Sequence, residues 1–93
     1  MNVILVSLDT TRADRLSCYG HFRRTSAHID RVAAEGVLFT SHFSPHIPTY
    51  PGHTTMMTGR DIYAHQITCQ SGTPEPAAGV VMLAELLRDA GFH

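Results

Sequence analysis

Pro45, Pro48 and Pro51 fall within seven residues, and together they constrain the chain more than any other feature. Each fixes its own φ and removes a backbone donor. Pro45 and Pro48 are predicted to keep the chain extended, because a residue before proline is pushed out of the α region. Pro51 suits the first turn of a helix, where a missing N–H is no loss. Residues 52 to 58 are then predicted to form a short helix, with Gly59 ending it in a left-handed cap. Thr49 is expected just ahead of that helix. Free N–H groups and the positive end of the helix dipole would favour an anion there, such as phosphate or sulfate. A hydroxyl at that place is a candidate nucleophile. It also fits a plain N-cap that satisfies backbone N–H groups, and the local pattern by itself favours the cap.

The flanking segments alternate between strand and helix patterns. Asn2 to Leu8 is a mostly β-branched apolar run, expected as a strand buried on both faces. It ends in Asp9, and ligands in open α/β sheets bind at the carboxyl ends of strands. Asp9 is therefore a candidate oxygen ligand for a divalent cation, or else a turn carboxylate. Arg12, Asp14 and Arg15 are expected to pair locally on a solvated face. Ser26 and Gly36 bracket a helix over residues 27 to 35, with Ile29, Val32 and Ala33 on one face. Val37 to Phe43 is the expected second strand, which completes a right-handed βαβ unit. That topology would bring Asp9 and Thr49 to one rim of the sheet. Residues 61 to 76 are predicted as a surface loop, with His65 in it. Val80 to Ala90 is an amphipathic helix ended by Gly91. Since Phe92 follows it directly, a further strand is expected beyond and the chain is expected to be a fragment.

The totals exclude several classes. A chain of 93 residues with a formal charge of −1 has room for one small domain and offers no basic surface for nucleic acid. No apolar run is long enough to span a bilayer. No signal-peptide pattern opens the chain, and Cys18 and Cys69 show no metal-type spacing, so a reduced, cytoplasmic setting is the default. Seven histidines are many for this length and point to metal or acid–base work.

The pieces in order resemble the N-terminal part of the sulfatase family, within the alkaline phosphatase superfamily. The resemblance is carried by Asn2 to Gly20, by His28 to Val37, by Phe43-Ser44-Pro45, and by Leu83 to Phe92. Thr49-Tyr50-Pro51-Gly52-His53, closed by Met57-Thr58-Gly59-Arg60, resembles the family's nucleophile motif. The resemblance implies an α/β fold, the N-terminal part of a three-layer αβα sandwich with a mostly parallel sheet. It also implies that residues 1–93 are part of a catalytic domain. Two positions depart from the pattern. Sulfatases carry Cys or Ser at the nucleophile, which becomes formylglycine, and Arg four residues on. Here those positions are Thr49 and His53, and threonine cannot become formylglycine. The paired Asp-Asp of sulfatases is Asp9-Thr10 here. Both departures resemble the phosphodiesterase and nucleotide pyrophosphatase branch.

By that resemblance Thr49 is the covalent nucleophile. A divalent metal (Zn, Mn, Ca or Mg), held in part by Asp9 and Thr49, would activate it. His53 would assist catalysis and bind the anion, with His65 and His46 as weaker substrate contacts. The substrate would be a small sulfate or phosphate ester. The chain alone, lacking the family's downstream ligands, is expected neither to hold a metal tightly nor to turn over substrate, and is expected to self-associate through uncovered apolar faces. The competing reading is a non-catalytic α/β module that binds a partner through an exposed sheet edge.

Overall fold

The computed structural model describes residues 2–72 and 75–92 of the chain. It divides into two compact units, one of Ile4–His42 and one of Met1–Val3 with Phe43–His93.

In the unit Ile4–His42, a turn follows Asp9, with Thr11 N–H donating to Leu8 O at 3.3 Å. Thr10 sits in it at φ 58°, a left-handed conformation that is a genuine outlier for a β-branched residue. Two 3₁₀ turns follow, Ala13–Arg15 and Ser17–Tyr19. Arg12 grips Asp14 with two parallel bonds of 2.9 and 2.6 Å, the local pairing expected of that run. That hydrogen bond holds the Asp14 carboxyl below its ordinary range.

Helix α1 spans Ala27–Glu35, between Ser26 and Gly36 as the sequence predicts. Ser26 does not cap it through its hydroxyl, however. That hydroxyl instead donates to Asp30 Oδ1 at 2.7 Å and accepts the Ser17 N–H at 2.9 Å. Ser17 Oγ donates to Asp30 Oδ2 at 2.7 Å. One carboxylate thus ties the second 3₁₀ turn to α1. The hydrogen bonds from Ser17 and then Ser26 stabilise its charged form and hold the Asp30 pKa below the usual aspartate value.

The other unit is built around α2, Thr49–Thr58, which packs against α3, Ile62–His65, and α4, Leu83–Asp89. Its core is small: Ile67, His65 and Pro51 are its largest fully buried side chains. Three expectations are corrected here. Helix α2 begins three residues early, at Thr49, with Pro48 in the cap position and the Ile47–Pro48 peptide cis. The segment over residues 61 to 76 is more than a surface loop. Asp61 caps α3 by accepting the Tyr63 and Ala64 N–H groups, both at 3.0 Å, and the chain then buries His65 and Ile67. Helix α4 starts at Leu83 rather than Val80. Val80 N–H closes a turn onto Ala77 O, with Gly79 at φ 83°, and a turn of that hand cannot continue into a helix. The helix ends as predicted. Gly91 N–H reaches Arg88 O at 2.9 Å and Phe92 N–H reaches Leu87 O at 3.0 Å, the paired bonds of a Schellman cap.

The two expected strands are not formed, and no strand occurs among the described residues. Ile4 and Val37 are 84% and 79% exposed. The reason is physical. A helix satisfies its own backbone, whereas a strand does so only on a neighbour. Two parallel strands with a single crossover have too little ladder and too little cover to hold by themselves. The second run is tethered at one point, where Tyr19 Oη donates to Phe39 O at 3.0 Å. No helix among the described residues is long and apolar enough to cross a membrane.

Candidate functional site

Helix α2 carries four threonines, at positions 49, 54, 55 and 58. Thr54 and Thr58 donate to the carbonyls one turn back, Tyr50 O at 2.8 Å and Thr54 O at 2.7 Å. Thr55 Oγ1 lies 3.0 Å from His65 Nε2. These three hydroxyls serve the helix and its packing. Thr49 differs by position: it is the first residue of the helix and half-buried. The cap position expected of Thr49 falls instead on Pro48, whose side chain makes no bond to the helix.

The opening turn is built from residues chosen for what they lack. Pro51 is buried and brings no N–H. Gly52 N–H closes the first turn onto Pro48 O at 3.3 Å. A Cβ on Gly52 would stand 3.1 Å from His46 O and 3.4 Å from Ser44 Oγ, so the approach segment lies directly against the helix there. Ser44 Oγ holds that segment by donating to His46 O at 2.8 Å. Tyr50 N–H donates to Gln70 Oε1 at 2.9 Å. The helix start therefore offers an anion fewer backbone donors than the sequence suggests. Gly59 ends α2 at φ 63°, its N–H on Thr55 O at 2.8 Å, as expected of the left-handed cap.

His53 is half-buried and lies one turn beyond Thr49. Residues i and i+4 share a helix face about 5–6 Å apart at Cβ, so the imidazole and the Thr49 hydroxyl can address one group together. His65 is corrected. It is fully buried in the core rather than exposed on a loop. Its Nδ1 accepts the Ile67 N–H at 3.0 Å, so that nitrogen carries no proton. Nε2 then carries the hydrogen and donates to Thr55 Oγ1. Both nitrogens are engaged inside the protein, which makes His65 a core residue rather than an exposed loop histidine. His46 is half-buried and enters the site through its carbonyl.

Asp9 belongs to the other unit. It is exposed and its Oδ1 accepts the Thr10 N–H at 3.0 Å. Among the described residues, no three His, Cys, Asp or Glu side chains come together in a way that could hold a metal ion. These residues do not fit a complete metal centre. Sequence reasoning missed Gln70 and the pair Ser17–Asp30. The only signal for Asp30 was its place four residues after Ser26; Gln70 had none.

The opening of α2 thus combines a hydroxyl residue at its first position, a proline inside the first turn and a histidine one turn later. Comparison with known proteins assigns the chain to a family. The model of the Sulfatase family matches residues 1–93, and the chain belongs to that family. It is 30% identical over 94 residues to an N-acetylgalactosamine-6-O-sulfatase of Bacteroides thetaiotaomicron, covering 98% of this chain and 18% of the relative. It is 30% identical to the N-acetylgalactosamine-6-sulfatase of Canis lupus familiaris, covering 98% of this chain and 20% of that protein. Human arylsulfatase A is 34% identical over 59 residues, 63% of this chain and 12% of the relative. The chain thus spans about a fifth of the length of the first two. No solved structure matches. Family membership implies the alkaline-phosphatase-like α/β fold, although its sheet is not formed among the described residues.

Proposed function

We propose that this chain is the nucleophile-bearing part of a catalytic domain that hydrolyses sulfate or phosphate esters, with Thr49 as the attacking group. The observation that carries the reading is the place of Thr49: it is the first residue of α2, with Pro48 rather than Thr49 in the cap position. Attack by Thr49 Oγ on the central sulfur or phosphorus forms a covalent ester and releases the alcohol. The hydroxyl proton leaves with the departing alcohol or through a base, and water then hydrolyses the ester. His53, on the same face, donates a hydrogen bond to a non-bridging oxygen and stabilises its charge. Sulfatases are metal-dependent as a family. Asp9 is the ligand position this chain would contribute, and further donors would have to join it.

Between the two ester classes, the family favours sulfate and the unmodifiable threonine favours phosphoryl transfer, in particular of phosphodiesters. The test is turnover of an aryl sulfate, an aryl phosphate monoester and an aryl phosphodiester by the full-length protein, with and without Thr49→Ala. The expected result is phosphodiester turnover that the substitution lowers by at least about a thousandfold. Sulfate turnover lost in the variant would reassign the substrate. Turnover unchanged in the variant, or absent from the parent with all three, would overturn the role of Thr49.

A further inference from the structure

The first turn of α2 is held by a residue that lies twenty positions away. Pro48, in the cap position, has no side-chain acceptor, and no side chain there bonds the helix. Its place is taken by Gln70, whose Oε1 accepts the Tyr50 N–H at 2.9 Å. Tyr50 is next to Thr49, so this bond fixes the peptide that follows the candidate nucleophile. Gln70 is itself exposed, but the segment that carries it is anchored on both sides. His65 and Ile67 are buried before it, and Ala77 N–H returns to His65 O at 3.0 Å after it. The amide oxygen is therefore presented from a fixed base. Pro51 contributes no N–H, and the Gly52 bond to Pro48 is long at 3.3 Å.

We propose that Gln70 is a positioning residue for Thr49: by capping α2 at Tyr50 it holds the first helical turn, and so the direction of the Thr49 hydroxyl, without touching the substrate. The inference rests on the reading of Thr49 as nucleophile. An attacking oxygen gains rate from being held along one line of approach. A first turn that frays loses that alignment while leaving most substrate contacts in place. The loss should therefore fall on kcat and spare KM.

The test uses the full-length protein and whichever of the three aryl esters it turns over, comparing Gln70→Leu, Gln70→Glu and Thr49→Ala. Gln70→Leu removes the acceptor at similar volume. Gln70→Glu keeps an acceptor, and a negative charge there suits a helix N-terminus. The expected result is a fall in kcat of about tenfold for Gln70→Leu, the rate equivalent of one lost cap bond, with KM within about twofold. Gln70→Glu should return kcat to within about twofold of the parent. A purely structural role would lower the melting temperature and leave kcat of the folded protein unchanged, which would overturn the proposal. So would Gln70→Glu as impaired as Gln70→Leu, or failure of both to fold. If Thr49→Ala abolishes turnover while Gln70→Leu does not, the Gln70 inference alone falls. If Thr49→Ala retains turnover, both fall.

Discussion

Replacing His65 by Leu tests how the unit around α2 is held together. His65 is fully buried and makes two hydrogen bonds inside the protein. Leucine is close to imidazole in volume, so little cavity opens and the packing contribution is largely kept. What changes is polar. The Ile67 N–H, in a fully buried residue, loses its acceptor, which costs about 1–3 kcal/mol. The bond to Thr55 is lost as well, about 1 kcal/mol. The sum, roughly 2–4 kcal/mol, is a large part of the total stability of a unit this small. Urea unfolding should show a lower midpoint at unchanged slope, and amide exchange at Ile67 should accelerate by at least about thirtyfold. A double-mutant cycle with Thr55→Ala isolates the side-chain pair and should return a coupling of about 1 kcal/mol. A His65→Leu protein within about 0.5 kcal/mol of the parent would refute the argument. It would mean that the Ile67 N–H finds another acceptor and that burial alone holds the segment.

Two further tests concern the unit Ile4–His42. Thr10 is a β-branched residue at φ 58°, and Thr10→Asn should relieve about 1 kcal/mol, because Asn tolerates the left-handed region. A melting temperature that fails to rise would show that the turn carries no such strain. The folded-state pKa of Asp30 is depressed by bonds from Ser17 and Ser26. Its contribution to stability is thus fully present above the ordinary aspartate pKa of about 4 and is lost as pH falls through the lower folded value. Urea midpoints between pH 6 and pH 3 should fall more steeply for the parent than for Asp30→Asn, and equal slopes would refute the assignment.

The candidate site was legible in part. Thr49 and His53 stand out because a proline-bounded helix start with a hydroxyl at one end and a nitrogen donor four residues later is a local pattern. His65 was misjudged because polarity and neighbouring turn residues argue for exposure. Only the return of Ile67 onto its ring and of Ala77 onto its carbonyl places it inside. Asp30 sat in view without a role, since its partner Ser17 is thirteen residues earlier.

By itself the sequence determined what rests on a few adjacent residues. It set the span of α1 between Ser26 and Gly36, the left-handed ends at Gly59 and Gly91, the Arg12–Asp14 pair and the family to which the chain belongs. Tertiary structure decided what depends on distant chain coming back. It moved the start of α2 to Thr49, with Gln70 reaching in from twenty residues away, and buried His65. It also left Asn2–Leu8 and Val37–Phe43 without a ladder. A φ preference or a terminal cap acts within one turn of its residue. A distant cap, a buried nitrogen and a strand each need a partner that the local sequence does not contain.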